Sequence, residues 1–251
     1  PGGVQVTLFI RVLEASAEDK AVELREAIRG LGSASVVEMD PTEFSSVPGT
    51  PFAYWVSLRV RGLFSALPAF ESEDRFVLGG LKTQYDERFV RAWWELKASG
   101  RSAGWPSFAK GGTVSPFYSD VPLCVNWKSE GDEISDYAYQ RRPREGYGAA
   151  NRGLHAYFRP GLTWPLRATR FAPQALPADC IFSNRSYCAF ASADALAPTL
   201  AVFNCAVFDY LFKTALGRFG YPEFIVGILQ RLPWARPTND LRDHMASLAH
   251  R

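Results

Sequence analysis

The segment GLKTQYDERFVRAWWEL (residues 80–96) follows the charged run ESEDR (residues 71–75) and joins a glycine turn, a polar loop and an aromatic amphipathic stretch. Lys82, Thr83, Gln84, Asp86 and Arg88 are gathered within a few positions of Trp93 and Trp94. A turn of this kind either displays its polar side chains to a ligand, with Phe89, Trp93 and Trp94 anchoring it to a core, or is an ordinary solvated turn. The segment also divides the chain. Upstream of it the apolar residues recur at helical spacing, and downstream glycine pairs, prolines and short apolar runs dominate to about residue 190, the pattern of strands and long loops. The chain is therefore expected to be α+β.

The 251 residues are 47% hydrophobic and 22% charged, enough for one large or two small globular domains. A net charge of +2 and a pI near 8.5 are mildly basic, so a nucleic-acid surface would have to be local. Cys124, Cys180, Cys188 and Cys205 have no C-x-x-C spacing and lie among apolar residues, which fits buried thiols in a reducing cytoplasm. No apolar run approaches the ~18 residues of a membrane-spanning helix. The chain opens on Pro1 and reads as a piece of a longer protein.

VQVTLFIRVL (residues 4–13) reads as a buried strand, followed by a helix capped by Ser16 with Asp19 three residues on. That helix would bury Ala21, Leu24, Ala27 or Ile28 and Leu31, and stop at Gly32. Thr50 and Pro51 would open a second helix, over 51–67, burying Phe52, Val56, Val60, Leu63 and Leu67. Pro68 and the acidic Glu71, Glu73 and Asp74 mark a boundary. Residues 193–216 read as one long apolar helix with Pro198 in its first turns, and residues 223–232 as strand or helix.

Three motifs are weak. GRSAG (residues 100–104) matches the G-x-S-x-G nucleophile elbow, but polar residues precede Ser102 where a strand is required. GYGAANRG (residues 146–153) has the glycines of a phosphate loop but follows RRPRE where a strand should stand. His155, His244 and His250 have no metal-ligand spacing, the last two falling in a tail expected to fray. A stronger signal is the interleaving of Arg141, Arg142, Arg144, Arg152, Arg159, Arg167 and Arg170 with Tyr137, Tyr139, Tyr147, Tyr157 and Trp164. Such a mixture suits nucleic-acid binding, arginine meeting phosphates and base edges; equally, these arginines decorate a plain surface.

GLKTQYDERFVRAWWEL, WPSFAKGGTVSPFYSDVPLCVNW, YFRPGLTWPLR, LPADCIFSNRSYCAF and VFNCAVFDYLFK occur in an order that resembles the carboxy-terminal half of PglX-type adenine-specific DNA methyltransferases of BREX phage defence, with relatives in DISARM and in fused restriction-methylation enzymes. The resemblance covers roughly residues 44–234. Gln84 stands where members of the family usually carry glycine. The resemblance implies a remnant of a Rossmann-like methyltransferase sheet in residues 1–40, a helical connector in 41–75, a mixed strand and helix target-recognition domain in 76–236, and a tail in 237–251.

The implied activity is methyl transfer from S-adenosylmethionine to the adenine amine within a specific sequence. The catalytic N-P-P-Y motif is absent, Asp40-Pro41-Thr42 being the nearest approach, and the glycine-rich cofactor motif is absent too. The chain alone is thus expected to be inactive and to hold no cofactor, S-adenosylmethionine belonging to the full-length enzyme. Expected partners are double-stranded DNA, the methyltransferase domain and other phage-defence proteins, in the cytoplasm and without a membrane; the alternative is a protein-interaction module of a defence complex. The residues expected to meet DNA are Lys82, Gln84, Arg88, Lys110, Arg141, Arg142, Arg144, Arg159, Trp164, Arg167 and Arg170. Of these, Gln84 and Arg88 would be base readers on a short turn, and Arg141, Arg142 and Arg144, beside Pro143, a mobile phosphate clamp.

Overall fold

In the computed structural model, which describes residues 6–13, 15–31, 35–97 and 104–249, strands and helices alternate irregularly along the chain. In order they are β1 (Thr7–Arg11), α1 (Lys20–Ile28), β2 (Ser35–Met39), α2 (Leu58–Ala66), β3 (Phe76–Leu78), α3 (Asp86–Phe89), β4 (Val90–Ala92), β5 (Ser107–Ala109) and β6 (Leu123–Val125). There follow α4 (Asp132–Arg141), β7 (Gly161–Pro165), β8 (Gln174–Leu176), β9 (Cys180–Phe182), β10 (Ser186–Phe190), α5 (Ala193–Phe203), α6 (Ala206–Leu216), α7 (Val226–Leu229) and α8 (Asn239–Ala249). The α+β expectation holds.

The strands form a central antiparallel sheet of order β3-β10-β7-β8, a second sheet of order β4-β6-β5-β9 in which β5 and β9 run parallel, and a ribbon of β1 with β2. Because successive strand residues point to opposite faces, the central sheet sorts its apolar side chains into two cores. Val77, Leu162, Trp164 and Ala189 meet the helical layer, where Phe203, Phe208, Phe212 and Phe224 surround Phe171 at centroid distances of 5.0–5.9 Å. Cys188, Phe190 and Leu176 point the other way and meet Phe108, Val125, Ile181 and Phe182 of the second sheet, with Ile134 and Ala138 of α4. Rings at these separations, tilted or edge-on, are in their favoured geometry.

Several expectations are corrected. β1 is half-exposed, not buried, and it has a partner: it pairs antiparallel with β2, from Thr7 opposite Met39 to Arg11 opposite Ser35. Two antiparallel strands are not the parallel crossover unit of a Rossmann-like sheet, so that part of the expected fold reduces to a ribbon. In α1, Ala27 is buried while Leu24 and Ile28 are exposed; Gly32 lies outside the described residues. The 51–67 helix is shorter than its period implied. Ser57 accepts the Val60 amide and starts α2 there, and the residue it buries is Arg61, whose guanidinium meets Glu43 Oε2 at 3.0 Å; Val60 is only half-buried.

The apolar run 193–216 is two helices bent by 76° at Asn204 and Cys205. Asn204 turns its amide to the carbonyls of Leu200 and Pro173, and Cys205 Sγ accepts the Phe208 amide to begin α6. No single helix among the described residues is long and apolar enough to cross a membrane. Residues 237–251 are no frayed tail over their described part, since α8 packs on α5 and Arg242 meets Asp194 at 3.4 Å. Cys124, Cys180 and Cys188 are buried as expected and Cys205 is exposed.

Candidate nucleic-acid interface

The loop that opens the GLKTQYDERF segment is pinned by backbone on both sides. The Leu81 amide donates to Phe182 O at 2.9 Å, Asn184 N returns a bond to Leu81 O at 3.1 Å, and the Lys82 amide donates to Ala150 O at 2.9 Å. At Gly80 the chain passes so close to β9 that a Cβ would stand 2.0 Å from Phe182 O, a contact only glycine avoids. Leu81 and Thr83 are buried, and Gln84 then turns outward with φ +62°. That left-handed conformation is uncommon for a residue with a Cβ.

Asp86 receives the Thr83 hydroxyl on one carboxylate oxygen and the Lys110 ammonium on the other. Burial pushes its pKa up, but the hydrogen bonds from Lys110 and Thr83, and then the charges of Lys110 and Arg185, outweigh it and hold the carboxyl below its usual value. The loop therefore carries a carboxylate that is ionised and satisfied from within.

Above it opens a cavity of about 550 Å³, with Lys82, Lys110, Arg142 and Arg185 around Gln84, and Asp86 and Glu87 as the acidic residues of its wall. Arg142 also meets Glu145 at 3.0 Å. Thus four of the expected residues, Lys82, Gln84, Lys110 and Arg142, come together. Two that sequence reading missed, Asn184 and Arg185, join them from the turn between β9 and β10. The visible signal was the polar S-N-R-S turn between two apolar runs, but nothing local says that this turn docks beside residue 84.

The remaining candidates lie elsewhere. Arg88 is committed to Glu133, donating from Nε and Nη2 to Oε1 at 3.0 and 2.7 Å, and lies over the rings of Phe89 and Tyr137. Asn126 holds the other oxygen of Glu133. Arg141 is over Tyr137 at 4.7 Å, Arg144 is exposed on the turn Pro143–Glu145, and Arg159 is over Phe76 at 5.6 Å. Arg167 pairs with Glu223, and Arg170 donates to Asn204 O at 3.3 Å, both away from this cavity. Trp164 is a correction: it is fully buried and its indole N–H donates to Phe224 O at 2.9 Å, so it offers a ligand no surface. Of the expected anchors, Phe89 is buried but Trp93 and Trp94 are 46% and 64% exposed.

The glycine-rich turn 146–153 follows the helix Asp132–Arg141 and the turn Pro143–Glu145 and leads into a single 3-10 turn at Leu154–Ala156, so it has neither the strand before it nor the helix after it that a phosphate loop uses. Its C-terminal end packs inward, the Ala150 carbonyl accepting the Lys82 amide and a Cβ at Gly153 standing 3.0 Å from both Gly79 O and Phe182 Cζ, while Gly146 and Gly148 border open space. Ser102 and His250 lie outside the described residues. Among the described residues no group of three His, Cys, Asp or Glu side chains is placed to hold a metal ion.

No protein-family model matches the chain. The adenine-specific methyltransferase PglX of Lacticaseibacillus casei (strain Zhang) is 23% identical over 163 residues, 60% of this chain and 13% of that protein. The adenine-specific methyltransferase BrxX of Escherichia coli O9:H4 (strain HS) is 25% identical over 150 residues, 57% of this chain and 11% of that protein. This chain resembles the PglX-type adenine-specific methyltransferases. It spans about an eighth and a ninth of the length of these two relatives, as the coverages of 13% and 11% state. Among solved structures, the type IIG restriction endonuclease BpuSI aligns with 92% of this chain and 33% of its own, at a TM-score of 0.50 and 10% identity, a likeness of fold.

Proposed function

We propose that this chain is the target-recognition part of a PglX-type N6-adenine DNA methyltransferase of a phage-defence or restriction system, and that it holds and reads duplex DNA in the cytoplasm. The observation that carries the reading is the grouping of Lys82, Lys110, Arg142 and Arg185 around the outward-turned Gln84. Duplex DNA presents a regular row of phosphates, and a rigid loop ringed by cations suits a backbone docking point. Glutamine in a fixed turn suits a base edge, where its carboxamide can donate and accept at once. On this reading residues 1–40 adjoin the methyltransferase region, 41–75 connect, 76–236 recognise DNA and 237–251 close the chain. Methyl transfer and S-adenosylmethionine then belong to the rest of the full-length protein, since this chain lacks the N-P-P-Y motif.

The test is fluorescence anisotropy with labelled duplexes over a range of salt. Wild-type affinity should fall log-linearly with salt, and Lys82→Ala/Arg185→Ala should lower the slope by about two units, roughly one per lost phosphate contact. Gln84→Ala should cost about 1–3 kcal/mol on a preferred sequence and little on scrambled DNA. Absence of DNA binding at low salt, or binding indifferent to salt, would reject the reading in favour of a protein-interaction module.

A further inference from the structure

Beside the cationic cavity, and sharing Lys110 with it, lies a second cavity of about 320 Å³ between the two sheets. Its floor is polar where an inter-sheet face is normally apolar. Gln174 stands opposite Thr163 in the sheet register, and Thr163 opposite Cys188, so Gln174, Thr163 and Ser186 all project from the inner face of the central sheet. All three residues are buried, Gln174 being 6% exposed; its carboxamide atoms are not among the sealed, unsatisfied ones of the interior, and the residue lines the cavity. A carboxamide open to a cavity can donate and accept there.

The hydroxyls are ordered. Thr163 Oγ1 reaches Tyr187 O at 3.2 Å and Ser186 Oγ at 2.7 Å. A carbonyl only accepts, so Thr163 donates to Tyr187 O and accepts from Ser186, leaving the Ser186 oxygen as an acceptor toward the cavity. The floor thus offers one donor, from Gln174, and two acceptors, from Gln174 and Ser186. Phe108, Val121 and Leu123 supply apolar walls; Lys110, its ammonium paired with Asp86, and the acidic Asp120 also line the cavity.

We infer that this cavity takes a single unpaired nucleobase of a bound DNA strand. An alternating donor and acceptor edge between apolar walls is how a base removed from its stack is read. The volume is near the lower limit of ligand pockets, roughly 300–1,000 Å³, and suits one base instead of a larger molecule. The inference rests on the DNA-binding reading above.

The test compares a fully paired duplex with the same duplex carrying one bulged nucleotide, each of the four bases in turn, by anisotropy at low salt. The wild-type chain should bind at least one bulged form about tenfold more tightly. Gln174→Leu, similar in volume, should abolish that preference and leave the fully paired duplex bound as before. In the wild-type chain, 2-aminopurine at the bulge should change its emission on saturation as it leaves the stack, which checks the cavity without any variant. Equal binding of paired and bulged forms, or a preference and emission change that survive Gln174→Leu and Ser186→Ala, would mean that the floor holds only water and would overturn the inference with DNA binding intact. Failure to bind either duplex would remove both readings.

Discussion

Gln84 holds a left-handed backbone conformation that costs an L-residue roughly 1–2 kcal/mol and glycine almost nothing. Gln84→Gly should therefore raise stability by about 1 kcal/mol, visible as a higher melting temperature, while removing whatever the carboxamide reads. A lower melting temperature would show that the outward side chain supports the loop. Neighbouring Gly80 has the opposite constraint, because any Cβ there meets Phe182 O. The thiols give a second residue-level expectation. Burial, with the nearby Asp179 charge, pushes Cys180 up to about 12, and burial pushes Cys188 up as well. Their folded pKa lies above the unfolded one, so the unfolded chain releases these protons first, at about pH 8.5–9, and stability should decline from there as pH rises toward 12. A thiol reagent should modify Cys205 in the native protein and the other three only on unfolding, measured as one equivalent against four. The turn at 80–88 was legible because glycine, threonine and aspartate each have local reasons to be there. Arg185 was not, since its approach to Gln84 depends on how β9 docks on Leu81, roughly a hundred positions away in sequence.

The same division between local and distant causes governs the elements. The strand-and-loop character of the middle of the chain and the helical character of 193–216 were readable from composition and apolar runs, whereas the ends of the helices were not. Ser57 won the second helix from Thr50 because its hydroxyl meets the Val60 amide, and the turn before it was free to pack Ala53 and Val56 inward. The period therefore pointed at Val60, and the structure points at Arg61. Arg61→Ala should destabilise the docking of α2 by about 1.5–3 kcal/mol, the range for a hydrogen bond to a charged group, and Val60→Asp should cost less than a fully buried carboxylate would. Chemical denaturation of both variants ranks them directly; the reverse order would mean that the apolar period was the better guide. At the bend between α5 and α6 the deciding contact is with Pro173, far from either helix in sequence. Asn204→Ala should cost about 0.5–1.5 kcal/mol for each side-chain hydrogen bond lost, and no more, because Pro173 O keeps the Phe117 amide and Leu200 O the Asn204 amide.

At the scale of the whole molecule, the ribbon and the remainder differ in how they are held. The helical core gathers residues from Val47 to Trp234, whereas β1 contributes Phe9, stacked on Tyr54 at 4.9 Å and edge-on to Phe44 at 5.3 Å. Leu8, Leu24, Ile28 and Val36 remain exposed. A chain of residues 41–251 should melt within a few degrees of the parent and scatter less light at high concentration, since an isolated two-stranded ribbon contributes little stability and apolar edges self-associate. A large drop in melting temperature would show the ribbon to be part of the main fold. The central sheet works in the opposite sense. Because Ala189 lies in one core and Cys188 and Phe190 in the other, neither core can open without disturbing the same strand. In deuterated solvent, then, the amides of β10 and its neighbour β7 should be the last to exchange, and at a common rate set by global unfolding, so that one strand reports on both halves of the protein at once.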